Sequence, residues 1–371
     1  MKFTVLKSNF LKALGIVGKG VNPRSAMPIL SNVLIKTDKG RLRLTTSDLN
    51  VTTSVWVGAK VDTDGGVAVP SRLLADFINQ ISDEKVSAVL DKETLKLKTD
   101  KSSATFNGMK ASEFPETEVH EDGLKVSIPS TDLVKAISYV QFAVAADEGR
   151  PVLSGIYLRL EGDKLILAGT DGFRMAEYRI KLDKPIKSEE PIAVVLPGKA
   201  FGDTVRSFAP ESENIEIDIN SDKNIAIVKV EDMESQLRMI EGQYPDYESV
   251  VPDDFSTEIK FEKQELSTGI KLASVFAREL GNMIKVVAGE EDVKVLSQPS
   301  ETGSNEATVN GELEGEPLEI AFNAKYILDL VNNIGEDELS FKASESLKPG
   351  LFKLVGLDNY FYLVMPMKAN W

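Results

Sequence analysis

The chain has 371 residues, a formal net charge of −15, one histidine and no cysteine. Without cysteine, disulfides, thiolate metal sites and cysteine nucleophiles are excluded and a reducing compartment is the natural setting. The lone histidine, His120 in the acidic run 116–122, leaves little room for base-activated nucleophiles and reads as part of a solvated linker.

The length calls for two or three domains. The acidic balance disfavours a phosphate backbone as partner unless charge is sorted along the chain. The opening residues 1–10 carry no long apolar run, so no secretory leader is expected. No stretch nears the roughly 18 apolar residues of a membrane helix. A cytoplasmic chain with no membrane partner follows as the expectation.

In chain order, a strand at Lys2–Val5 leads into an amphipathic helix, followed by alternating strands at Val33–Thr37, Arg41–Thr45 and Thr52–Val57. A second strand-helix unit spans Val67–Leu74, with strands at Val86–Leu90, Thr94–Thr99 and Ser103–Asn107. The grammar then restarts at Lys125–Ile128, with strands at Gly155–Leu160, Lys164–Ala168 and Arg174–Lys181 and a second unit at Ile192–Phe201. It restarts again at Glu258–Phe261, with strands at Ile284–Ala288, Asp292–Ser297 and Glu306–Glu312 and a second unit at Leu318–Ile327.

The second units begin 65, 67 and 60 residues after the first, so the chain is a threefold repeat of paired βαβββ units. Period-two alternation predicts antiparallel sheets with helices on one face, an α+β class. Pro- and acid-rich joints at Glu113–Gly123 and Pro245–Ser256 place domains at 1–123, 124–254 and 255–371. Ser8, Ser130 and Asn323 are expected helix caps, and Pro70 and Pro197 mark strand-to-helix turns.

Charge is sorted. Six expected helices, at 7–24, 71–80, 130–142, 198–208, 262–278 and 323–333, hold 12 basic and 6 acidic residues, so the rest of the chain carries −21. Residues 2–24 contain five basic residues and no acidic one. Helices on one face that all lean positive suit a polyanion held by its backbone rather than read by its bases.

No phosphate-cradling glycine loop and no dinucleotide fingerprint occurs. Thr46-Ser47-Asp48 and Gly169-Thr170-Asp171 recur at matching places. They read first as turns in which Asp accepts local amides. The alternative is a carboxylate metal site, which needs Asp48 and Asp171 to converge. The apolar run Tyr360–Met367 continues past Pro366, where a chain normally leaves its fold, and Met side chains adapt to varied partners.

The opening 1–5 (MKFTV), Arg24–Leu30 (RSAMPIL), Arg150–Gly155 (RPVLSG), Thr170–Ala176 (TDGFRMA), Tyr244–Tyr247 (YPDY) and Val364–Met367 (VMPM) resemble, in order and spacing over the full length, the bacterial sliding clamps, the β subunits of DNA polymerase III. The resemblance implies three tandem copies of a two-unit βαβββ clamp domain, with helices lining the inside and antiparallel sheets outside. It implies a head-to-tail homodimeric ring around double-stranded DNA, no catalysis and no cofactor, and association with the nucleoid.

By the same resemblance Arg24, Lys199 and Arg206 face DNA, with Arg150 near them. A peptide pocket would use Leu153, Thr170, Gly172, Phe173, Arg174, Met175, Pro245, Val250, Leu363, Val364, Met365, Pro366 and Met367. The replicative polymerase, the clamp loader and repair polymerases would compete for it. The ring contact would join the Ala104/Phe106 strand of one copy to the Val275/Phe276 helix of the other. Phe173 stands where the family often has His, Ser249 where it often has Arg, and the tail Lys368–Trp371 runs past the family's usual end.

Overall fold

Amphipathic periodicity produces six helices in the computed structural model, which describes residues 1–21, 27–115, 123–146, 149–188, 190–289, 292–301 and 303–371. They are α1 (Lys7–Val17), α2 (Ser71–Gln80), α3 (Ser130–Val140), α4 (Gly198–Phe208), α5 (Lys263–Ala277) and α6 (Ala324–Asn333). α1 is shorter than the sequence suggested, because Gly18–Gly20 tightens into a 3-10 turn.

Asn323 caps α6 by accepting the Lys325 amide at 3.0 Å. Ser8 is not a cap. α1 begins one residue earlier, after Leu6, and the Ser8 hydroxyl bonds the Asn9 side chain.

One anchoring device recurs in every repeat. The first residue of the odd-numbered helix donates its amide to the loop after the even-numbered one: Lys7 to Glu84 at 2.8 Å, Ser130 to Glu213 at 2.8 Å and Lys263 to Asp337 at 2.7 Å. The Lys7 ammonium also bonds the carbonyls of Asn79 and Ile81, and that of Lys263 those of Ile334 and Gly335. A cation there satisfies carbonyls that the end of α2 or α6 leaves open. Two of the lysines behind the charge sorting therefore have a local structural role.

The chain forms two compact units, Met1–Thr131 with Ala200–Met239, and Asp132–Lys199 with Ile240–Trp371. The first holds a five-stranded antiparallel sheet in the order Ala59–Thr63, Lys2–Leu6, Lys85–Asp91, Thr94–Lys98 and Ser103–Asn107. It also holds a nine-stranded sheet in the order Met109–Lys110, Gly66–Pro70, Asn32–Asp38, Arg41–Ser47, Val51–Val57, Met233–Arg238, Ile225–Val230, Asn214–Asn220 and Leu124–Pro129. That sheet runs without a break from the first repeat into the second, where Val55 pairs with Met233 and Val51 with Leu237.

The second unit repeats the arrangement. Its nine-stranded sheet is ordered Ile192–Pro197, Gly155–Glu161, Lys164–Thr170, Arg174–Lys181, Leu357–Val364, Gly350–Leu354, Glu338–Ala343, Thr257–Glu262 and Gly311–Gly315. The second repeat joins the third where Arg174 pairs with Val364 and Tyr178 with Tyr360. The four-stranded sheet is ordered Glu306–Val309, Val293–Ser297, Met283–Ala288 and Leu318–Asn323.

The expected strand Glu306–Glu312 is in fact two. Glu306–Val309 pairs with Val293–Leu296, and Gly311–Gly315 pairs with Thr257–Phe261 in the other sheet. The crossing needs glycine at 311, where a Cβ would stand 3.0 Å from Phe261 and 3.1 Å from Ile259. The strand pairs are antiparallel; buried positions alternate along strands such as Lys2–Leu6 and Met283–Ala288, as the period-two pattern required, whereas Lys164–Thr170 and Arg174–Lys181 are buried in near-continuous runs.

Candidate functional site

The turn Thr170–Arg174 ends one strand and begins the next, and its backbone is held by its own side chains. Asp171 accepts the amides of Phe173 at 2.9 Å and Arg174 at 3.1 Å. Thr170 accepts the amide of Gly172 and donates its hydroxyl to the Arg174 carbonyl at 2.6 Å. Gly172 supplies a φ of +91°. Asp48 does the same work in the first repeat, accepting the amides of Asn50 and Val51. Both aspartates are turn formers, and among the described residues no cluster of three or more His, Asp or Glu is placed to hold a metal.

The turn lifts Phe173 into solvent at 57% exposure, and the Phe173 carbonyl accepts the Met365 amide at 2.8 Å. That bond ties the rim to the segment after Val364. Met367 is held in turn by its amide bond to Ala321 at 2.8 Å. Phe173, Met365 and Val250 are exposed, each within three residues of a member of a buried cluster of Ala168, Met175, Val195, Tyr244, Tyr247, Leu351 and Leu363, against which Val152, Tyr157 and Ile240 pack. Leu153 and Val364 are buried, Thr170 lines the turn, Pro245 is exposed, and Pro366 is half-buried. A buried apolar floor flanked in sequence by exposed apolar side chains is a candidate docking site for apolar side chains.

Arg174 has a different position from the one its motif suggested. Its side chain is buried, donating to Asp171 at 3.0 Å and to Asp329 of α6 at 2.6 Å. Its guanidinium lies 4.6 Å from the Tyr326 ring and 5.9 Å from that of Phe142. Burial opposes the charge, but Tyr362, Asp329 and Asp171 outweigh it and hold the guanidinium's pKa above its usual value. Through Asp329, Arg174 binds the second repeat to the third.

Arg150, expected near DNA, puts its guanidinium beside the turn: a Cβ at Gly172 would lie 3.5 Å from it. Lys199, at the start of α4, is exposed. Arg206 bonds Asp203 at 3.0 Å, and its neighbour Ser207 accepts from the ammonium of Lys19, in the 3-10 turn after α1, at 2.8 Å. Lys12 of α1 pairs with Glu211. Arg24 and His120 lie outside the described residues.

Ala104 is half-buried on the strand that ends the five-stranded sheet among the described residues, but the Phe106 ring turns inward, 5.7 Å from Phe77. On α5, Val275 is exposed with Leu272, while Phe276 packs towards Gly303. The motif Tyr244–Tyr247 was legible. The partners of its tyrosines, and those of Arg174, were not, because they come from distant strands and helices.

A chain of three tandem α+β repeats joined by continuous antiparallel sheets has the architecture of a DNA sliding clamp. Models of the N-terminal, central and C-terminal domains of the DNA polymerase III beta subunit match residues 1–118, 127–246 and 248–368. The chain belongs to this family. The beta sliding clamp of Staphylococcus aureus is 28% identical and that of Synechococcus elongatus 26%, each aligned over 100% of both chains. The crystal structure of the DNA polymerase III subunit beta from Pseudomonas aeruginosa superposes with a TM-score of 0.94 at 27% identity over 100% of both chains. Among the described residues no helix is long and apolar enough to cross a membrane.

Proposed function

We propose that two copies close head-to-tail into a ring that encircles duplex DNA, slides on it without reading sequence, and recruits the polymerase, its loader and repair proteins through the apolar pocket. The protein acts without catalysis and without a cofactor. The observation that carries the ring is a pair of open sheet edges. Ser103–Asn107 ends the five-stranded sheet of the first unit, and Glu306–Val309 ends the four-stranded sheet of the second.

Open edges invite pairing with another chain, and proteins normally cover or blunt them. Beside the second edge, α5 exposes Leu272 and Val275. A second copy would cover both edges and those side chains. Because Phe106 is buried, the backbone of its strand and Ala104 supply the contact.

The DNA side is supported by the exposed Lys199, by the grouping of Lys19 with Arg206, and by the absence of acidic residues in the first turns of α1, α2, α4 and α6. A first turn usually favours Asp or Glu. Leaving it bare keeps these helices from repelling phosphate.

The deciding experiment has two arms. The mass in solution should be twice the 40.6 kDa of one chain, and Leu272→Lys with Val275→Lys should halve it. Protein loaded on circular DNA should remain through a high-salt wash and leave when the circle is cut. Equal retention on cut and closed circles would refute encirclement.

A further inference from the structure

Glu177 is a charged side chain with 1% exposure in the middle of a nine-stranded sheet, between Ala168 on one neighbouring strand and Phe361 on the other. Nothing in the strand's alternation asks for a carboxylate there. A buried charge is costly unless it is paired and hydrogen-bonded. Glu177 has two partners: Arg179 Nε donates to one oxygen at 2.6 Å, and the Tyr247 hydroxyl donates to the other at 2.6 Å. Arg179 is a near neighbour on the same strand. Tyr247 belongs to the segment that follows the second repeat and is 70 residues away.

Tyr247 is the fixed point of that segment. Its ring stands edge-on to Tyr157 at 6.2 Å and to Tyr244 at 6.3 Å, while Tyr244 stacks on Tyr157 at 4.6 Å. Its carbonyl accepts the Val250 amide at 3.1 Å, closing the turn that presents Val250. Both tyrosines pack with Met175 and Leu363 in the floor of the pocket. Glu248, within the same turn, accepts from Arg159 at 2.6 Å. Without these ties the segment would be a surface connection, and its apolar side chains would have no fixed height above the floor.

We infer that Glu177 is a positioning residue of the pocket: its buried carboxylate holds the Tyr247 hydroxyl, and through it sets the floor tyrosines, Tyr244 and Tyr247, and the turn that presents Val250. The inference rests on the pocket reading above and names the residue that keeps the pocket formed before a partner arrives. A segment held in place in advance spares the partner the cost of ordering it.

The test measures binding of a fluorescein-labelled peptide of leucine and phenylalanine to the full-length protein by fluorescence anisotropy. Wild type should bind and Met365→Asp should not. If wild type fails to bind, the pocket reading falls. Given wild-type binding, Glu177→Ala and Tyr247→Phe should each weaken affinity by about tenfold, the loss expected for one charge-assisted hydrogen bond. Glu177→Gln, which still accepts from Tyr247, should recover most of that loss. The Glu177→Ala/Tyr247→Phe double variant should bind like either single one, because the two residues act through one bond. Additive losses, no rescue by glutamine, or wild-type affinity in Glu177→Ala with Met365→Asp still inactive would overturn the inference and leave the pocket standing.

Discussion

Where the first repeat's sheet runs into the second, and where the second's runs into the third, the backbone solves the same problem twice. In both places an Asp-closed turn offers a carbonyl to an arriving amide: Asn50 to Arg238 at 2.8 Å, and Phe173 to Met365 at 2.8 Å. In both, a Pro-started 3-10 turn closes on its own serine, Ser31 on Pro28 at 2.7 Å and Ser154 on Pro151 at 2.7 Å. In both, an aromatic-proline pair follows, with Phe114 and Tyr244 buried.

The side chains then diverge. The buried ties of the first junction are neutral hydroxyls, Thr53 with Ser235 at 3.0 Å, Ser235 with Thr204 at 3.3 Å, and Thr45 with Ser54 at 2.9 Å, and its ion pairs, Lys12 with Glu211 and Arg41 with Asp232, lie at the surface. The second uses Arg174 with Asp171 and Asp329, Lys135 with Glu336 at 2.8 Å, and Tyr139 with Glu336 at 2.5 Å. All eight tyrosines of the chain fall in the second unit. A backbone frame duplicated along a chain therefore does not duplicate a site. The rim decides, and Asn50 and exposed Arg238 stand where the second junction has Phe173 and Met365.

The largest test of this contrast compares the two sets of ties. Trp56 reports on the first unit and Trp371 on the second, so Trp56→Phe and Trp371→Phe backgrounds let each be followed by fluorescence. Arg174→Ala strands two acidic side chains and should cost the second unit about 3 kcal/mol in urea unfolding. Ser235→Ala removes neutral bonds and should cost the first unit about 1 kcal/mol. Equal costs would erase the distinction.

An intermediate effect comes from alkali. Burial and the bond to Glu336 push Tyr139 up to about 12, and burial raises Tyr244, Tyr247, Tyr360 and Tyr362 as well. An unfolded tyrosine titrates near 10. The folded state holds these protons more tightly, so their contribution is complete below about pH 10 and is lost as pH rises through the folded values. The Trp371-reported urea midpoint should therefore fall more steeply above pH 10 than the Trp56-reported one, and Tyr139→Phe should flatten the fall. Parallel curves would show that the tyrosines do not set the difference.

The smallest effect would be a gain. Asn50→Phe with Arg238→Met, placed in a Met365→Asp background that silences the second junction, should give weak binding of the same labelled peptide. No binding at all would mean that the floor, and not only the rim, separates the two junctions.

The sequence by itself determined the threefold repeat, the six helices and the antiparallel strands. These depend on local periodicity, on turn residues such as Asp48 and Asp171, and on proline at strand ends, all written within a few positions of each other. Its resemblance to the clamp family's motifs also named Phe173, Met365 and Val250 as candidates. What only the tertiary structure decided is which of those side chains face outward and what holds them. Arg174 is drawn inward by Asp329 from 155 residues away, and Phe106 is buried against Phe77. Lys7 and Lys263 close helix ends across their repeats, so part of the charge that looked sorted for a ligand serves the fold. Glu177 gave no signal in the alternation of its strand. Its meaning depends on Tyr247, and a long-range hydrogen bond is a property of register and packing that periodicity along the chain does not encode.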